Sequence, residues 1–468
     1  MSFFSVLYDE WRLYCMTTES YFKGDVFHTP TDGKLEFLED ALIQVDSAGI
    51  ITKVIKKTDK HYEKACQQAD ITLSLSTGQC FLPGFVDLHV HAPQWPQAGI
   101  ALDEPLNVWL DECTFPLEAK YADTDFAQQV YEDLVTQLLS RGTTTVLYFA
   151  TIHLEASLLL AKICVEKGQR GLVGKVVMDD PQANPDFYRD ASTEAALQET
   201  EQFIQSVQKL AESALQGVYP VVTPRFVPSC TDEGLAGLGA LAQKYDVHVQ
   251  THCSEGQWEH DFVQERFGKA DTEVLKDFGL LKEKAVMAHG NFICPQDGAL
   301  FIETGAAVAH CPISNAYFAN GVIPIKQLKK QGVIIGLGTD ISGGFSPSLY
   351  DNIKQAVMSS RMLEDGVDVT RAQHERGVAD SRISVIDAFS LATKGGGDAL
   401  QLPVGVIKEG YAFDVQVIDS RNQGNPLPDF GVFPTPEARL QKILYLATMQ
   451  NIRQVWVQGK KVHDKQGE

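Results

Sequence analysis

Phe85-Val86-Asp87-Leu88-His89-Val90-His91, introduced by Pro83-Gly84, is an apolar run with two histidines spaced two apart. The run predicts a β-strand, and alternation along a strand puts both imidazoles on one face. Two neutral imidazoles on one face can chelate one divalent metal. Outward from this segment, strand-like runs recur at 143–149, 171–178, 218–226, 247–252, 285–289, 306–311 and 333–338, which makes eight with the first. Between them lie stretches with apolar residues at helical spacing, as at 126–139 and 154–165. Strands alternating with helices imply a parallel sheet. Eight such units predict an α/β fold, a (β/α)8 TIM barrel. Gly395-Gly396-Gly397 follows a predicted helix over 385–393 and reads as a helix-ending turn.

Both chain ends read differently. Ala41-Leu42-Ile43-Gln44-Val45-Asp46 and Gly49-Ile50-Ile51-Thr52-Lys53-Val54-Ile55 are short alternating runs joined by a turn. Ala412–Asp419 and Ile452–Val457 are similar, and Gln458-Gly459-Lys460-Lys461 turns the last into Val462-His463. Their composition predicts a small β-sandwich domain built from residues 1–80 plus 400–468, with the barrel at 81–399 inserted between.

Lys plus Arg total 40 and Asp plus Glu 61, a formal net charge of −21. Such a balance speaks against duplex nucleic acid and anionic membranes as partners, though not against a small neutral base. Charged residues interrupt the first apolar stretch, at Asp9, Glu10 and Arg12, so no signal peptide is expected. Apolar runs are too short for a membrane span. The nine cysteines have no regular spacing and read as reduced thiols of a cytoplasmic protein.

In such a barrel the chemistry sits at the C-terminal strand ends. Polar residues cluster there: His89 and His91 after strand one, Thr251-His252-Cys253-Ser254-Glu255 after strand five, Ala288-His289-Gly290 after strand six, and Gly338-Thr339-Asp340 after strand eight. This set resembles the amidohydrolase superfamily along nearly the whole chain, Glu409-Gly410-Tyr411-Ala412-Phe413-Asp414 included, with Phe413 where a smaller residue is common. Within that superfamily it is similar to the guanine deaminases. The discriminating pieces are Ala92-Pro93-Gln94, which continues from His91, and Pro224-Arg225-Phe226 on strand four. His310-Cys311-Pro312-Ile313-Ser314-Asn315 and Gly338-Thr339-Asp340-Ile341-Ser342-Gly343-Gly344 complete the likeness.

The resemblance implies hydrolytic deamination of guanine to xanthine and ammonia in purine catabolism, by attack of a metal-activated hydroxide on C2, in a homodimer. His89, His91, His252 and Asp340 offer three nitrogens and one oxygen, a set suited to one Zn²⁺ per chain, although iron fits the same ligands. A binuclear relative would carry a bridging lysine after strand four, where this chain has Arg225. Glu255, His289 and Asp340 are the expected catalytic residues. Glu255 would carry protons to the ring and the leaving amine. His289 would orient the water or serve as a fifth ligand, and Asp340 would accept the water's proton. Gln94, Arg225 and Phe226 are expected to contact substrate, with His252, Glu255, His289 and Asp340 facing the reacting edge.

Alternatives stay open for several positions. Arg225 can also be read as half of a structural ion pair and Glu255 as a solvated loop carboxylate; Asn315 reads as a pocket contact or a turn residue, Trp95 as a pocket or packing residue, and His310 as a packing residue. Another purine, 8-oxoguanine or a triazine as substrate, and an inactive scaffold, are the competing functions. His153-Leu154-Glu155 matches half of another zinc deaminase signature whose Pro-Cys-x-x-Cys is missing.

Overall fold

The structure is a computed structural model that describes residues 19–319 and 321–465. The predicted absence of a signal peptide falls on residues outside the described ones. Eight parallel strands form the barrel in chain order: Phe85–His91, Thr143–Phe149, Arg170–Gly174, Val218–Pro224, His248–Cys253, Ala285–His289, Ala307–His310 and Ile334–Leu337. They are called barrel strands 1 to 8 below. The predicted third strand is interrupted, its continuation Val176–Val177 pairing with strand 4.

Strand 8 closes onto strand 1 just beyond its own end. The Asp340 amide donates to the His89 carbonyl at 2.8 Å and the His91 amide to the Ile341 carbonyl at 2.9 Å. Beneath this seam, Thr339 donates from its amide and its hydroxyl to the buried Asp87 carboxyl, at 2.9 and 2.7 Å. Gly338 has to be a glycine here, because a Cβ would stand 2.7 Å from that of His89.

Helices pack outside the strands with one apolar face inward. Helix Thr124–Ser140 buries Ala127, Val130, Tyr131, Leu134, Val135 and Leu138, the spacing of a single helical stripe. Asp123 caps it, accepting from the amides of Asp125 and Phe126. Helix Leu154–Lys167 stops at Gly168, whose φ of 79° suits only glycine well.

The triple glycine does not end a helix, contrary to the sequence expectation. A widened turn over Leu391–Gly395 runs on into helix Gly396–Leu400. The reason is close approach: a Cβ on Gly396 would lie 2.5 Å from that of Val86, and one on Gly395 2.5 Å from the Ile335 carbonyl oxygen. The helix rests against the floor of the barrel, and tertiary packing outweighs helix propensity.

Strands from both chain ends join in one sheet. Its order is Lys460–Asp464, Ile452–Val457, Val415–Asp419, Gln79–Pro83, Ser20–Thr31, Lys34–Val45 and Ile51–Ile55, with Ile71–Ser74 paired to Ser20–Thr31. Gln458 and Gly459, both at positive φ, make the tight hairpin between the last two strands. Phe413 is fully buried and stacks on Phe22 with ring centroids 4.0 Å apart, so the larger side chain fills this sheet's core. Arg170 on strand 3 ties barrel to sheet. It is buried, ion-paired with Asp414, and donates to Gln458 Oε1 at 2.6 Å. No helix among the described residues is long and apolar enough to cross a membrane.

Candidate active site

Period-two alternation in strand 1 brings His89 and His91 to one side, ring centroids 4.8 Å apart. Strand 5 adds His252, strand 6 adds His289, and the turn after strand 8 adds Asp340. His91 Nε2 lies 3.0 Å from His252 Nε2, and Asp340 Oδ1 lies 3.2 Å from His89 Nε2 and 3.5 Å from His91 Nε2. His289 Nε2 is 3.6 Å from Glu255 Oε1 and 3.9 Å from Asp340 Oδ2. His289 and Asp340 have positive φ, 75° and 51°, a region costly for residues other than glycine. Both turn sharply at a strand end to face the same point.

Hydrogen bonds fix which nitrogens are free. His252 Nδ1 donates to the Arg225 carbonyl at 2.6 Å, leaving Nε2 with a lone pair. His289 Nδ1 donates to Asn315 Oδ1 at 2.9 Å, with the same result. Nε2 of His89 and of His289 are buried with no hydrogen-bond partner. Burial, reinforced by the neighbouring imidazoles, pushes His89, His91 and His252 well below the usual histidine pKa, so each is neutral. Neutral, converging lone pairs with a carboxylate beside them are the donor set of a divalent metal site. His89, His91 and His252, or His89, His289 and Asp340, each bring ligand atoms within 4.8 Å of one another. The cluster can hold a metal.

Glu255 sits beside this cluster with 13% of its side chain exposed. Burial, and then the charge of Asp340, pushes its carboxyl up to about 8, the direction that favours a proton-carrying group. Its amide donates to Glu259 Oε2 at 2.7 Å, and Asn291 Nδ2 donates to its carbonyl at 2.9 Å, which fix the loop that carries it.

A cavity of about 420 Å³ opens over the cluster, lined among others by His91, Gln94, Arg225, Phe226, His252, Glu255 and Asp340. Its cover comes from the helical stretch 106–122, through Leu106, Trp109, Leu110 and Phe115, and from Phe318, which packs on Trp109 at 5.4 Å. A larger cavity of about 640 Å³ opens elsewhere on the barrel around Arg170, Tyr219, His248 and Leu400, and no residue of the metal cluster lines it.

The expected site residues thus meet in one place, with two additions. Arg225 lines the cavity and is also ion-paired with Glu118, at 2.7 Å. The ion-pair reading of Arg225 therefore holds, and the same side chain faces the cavity. Asn315 orients His289 rather than lining the cavity. Trp95 lies outside it, donating to Asp133 Oδ2 at 2.7 Å, and His310 is buried behind. Glu118 and Asp87 went unread in the sequence. Asp87 stands inside the quoted strand motif, where a charged residue among Phe85, Val86 and Leu88 is the one local signal of a buried role. Nothing local distinguishes Glu118 from Glu112.

Comparison with known proteins agrees with this geometry. The model of the amidohydrolase family matches residues 81–462. The chain is 37% identical over 450 residues to the guanine deaminase of Mus musculus, covering 94% of this chain and 96% of that protein. It is 35% identical over 455 residues to that of Dictyostelium discoideum, covering 94% and 97%. A crystal structure of guanine deaminase from C. acetobutylicum, with guanine bound in its active site, superposes with a TM-score of 0.84 at 31% identity, covering 95% of this chain and 100% of that one. With its strand-end histidines, its buried carboxylates and a family match that spans the barrel, the chain belongs to the amidohydrolase family.

Proposed function

We propose that this protein is a guanine deaminase, hydrolysing guanine at C2 to xanthine and ammonia in purine breakdown, with one Zn²⁺ per chain. The observation that carries this reading is the pairing of a metal-ligating cluster with a cavity of about 420 Å³, roomy enough for a purine, in a chain 37% identical to a guanine deaminase over nearly its full length. His89, His91, His252 and Asp340 would hold the metal, which when bound makes a water acidic enough to attack at neutral pH. Asp340 takes up the proton that the attacking water releases. Glu255 gives its proton to the ring nitrogen beside C2, takes the second proton of the attacking water and passes it to the amine, which leaves as ammonia; the proton held by Asp340 then restores Glu255. The lone pair of His289 Nε2, held by Asn315, orients the water. Gln94 and Arg225 bind the polar groups of the ring, and Phe226 covers its face.

Further parts of the reading rest on the resemblance and on composition. The barrel at 81–399 and the sheet domain of 1–80 plus 400–468 act as two units, as the connectivity of the strands supports. The protein works as a homodimer in the cytoplasm, where its eight described cysteines, all unbonded, remain reduced. The test is turnover by the purified, metal-loaded protein of guanine, adenine, 8-oxoguanine, cytosine and triazines, followed by ammonia release, with metal analysis alongside. Guanine is the expected preferred substrate with about one zinc per chain. Turnover of another base in preference to guanine would overturn the assignment.

A further inference from the structure

The amide of Gln94 is held one way round. Its Nε2 donates to Glu118 Oε1 at 3.0 Å. A carboxylate only accepts, so the amide oxygen must face away from Glu118. That Oε1 is buried and has no hydrogen-bond partner, while Gln94 lines the cavity. The same carboxylate accepts from both terminal nitrogens of Arg225, Nη1 at 2.7 Å and Nη2 at 3.3 Å. Phe115, on the same cover segment, lies over the guanidinium at 5.1 Å. The Gln94 backbone is also fixed, its carbonyl accepting from Ser342 Oγ at 2.8 Å. Glu118 itself is fully buried and does not line the cavity. One carboxylate out of reach of any substrate therefore joins the tail of strand 1, the tail of strand 4 and the cover.

We propose that Glu118 is a positioning residue that sets substrate choice. By pinning Gln94 Nε2 and the Arg225 guanidinium together, it presents to the cavity an acceptor from Gln94 next to the donors of Arg225. Such a pair selects a ring with an N–H beside a carbonyl over one with a bare ring nitrogen beside an amine. Guanine has the first arrangement. 2,6-Diaminopurine has the second, with the same amine at C2. This rests on the guanine reading given above. An amide in place of the carboxylate offers Gln94 a donor as well as an acceptor, so Gln94 can turn over and show its Nε2 to the ring instead.

The experiment is steady-state kinetics with guanine and 2,6-diaminopurine, plus metal content, on the wild type, Glu118→Gln, Glu118→Asp, Gln94→Leu and the Gln94→Leu/Glu118→Gln double variant. Glu118→Gln is expected to raise the guanine KM at least about tenfold, to change kcat less than about threefold, and to narrow the guanine preference at least about tenfold, with metal retained. The loss of preference should largely disappear when Gln94 is already leucine. Glu118→Asp, still an acceptor only, keeps the preference even where KM rises, and it carries the test if Glu118→Gln does not fold. An unchanged preference in Glu118→Gln, a fall in kcat alone, full additivity with Gln94→Leu, or a lost preference in Glu118→Asp would each overturn the inference. A wild type that does not deaminate guanine would instead remove the functional reading beneath it.

Discussion

The two ends of the cavity are built by different means. The metal end is made of side chains on strands and on the residues just after them, placed by barrel register. The selecting end is made of Gln94 on a short turn, Arg225 after a strand, and Glu118 on a helical segment, tied together by one buried carboxylate. The first is held by backbone hydrogen bonds shared by every strand. The second depends on one ion pair between residues 107 apart in sequence. Chemistry is thus anchored in the scaffold, whereas choice of substrate hangs on a few side chains that can change without disturbing it.

This contrast can be broken from either side. The largest effect is expected at the metal end: His89→Ala should lose bound metal and bring turnover to background, read by metal analysis and ammonia release. Glu255→Gln should keep the metal and lose about 10³-fold in kcat; near-normal turnover would take Glu255 out of the proton path. At the selecting end, Arg225→Ala should leave metal content intact and lower kcat/KM about 10²-fold, mostly through KM. It should also cost about 3–5 kcal/mol of stability, visible in denaturant unfolding, because Glu118 is left buried without its partner. Arg225→Ala that strips the metal would show the two ends to be one unit. Asn315→Ala should be the mildest, about tenfold in kcat with metal retained, since it removes only the acceptor that orients His289.

The same contrast explains what could be read from the sequence. His89 and His91 were legible because a strand has a period of two, and His252, His289 and Asp340 because each stands at the end of an apolar run. Those signals are local. The partnership of Glu118 with Arg225 has no local signature, because it is made by tertiary packing across several elements. Asn315 was visible as a motif residue, but its role is defined only by the nitrogen of His289 it faces. The triple glycine misled for a related reason: propensity favours a stop, and only contact with Val86 explains a helix that continues.

The tie between Arg170 and the chain's far end has a consequence for biosynthesis. Asp414 and Gln458, which pair with Arg170, lie 244 and 288 residues further along. At about 5–20 residues per second, translation takes roughly 12 to 58 seconds to reach them after Arg170 is made. Until then the strand 3 guanidinium has Thr145 as a partner but lacks its counter-charge, and the sheet lacks Val415–Asp419, Ile452–Val457 and Lys460–Asp464. The emerging chain therefore cannot complete its fold on the ribosome before residue 458 has appeared. A truncation that removes the final hairpin should show itself as aggregation during synthesis, before any loss of the finished enzyme's stability is measured.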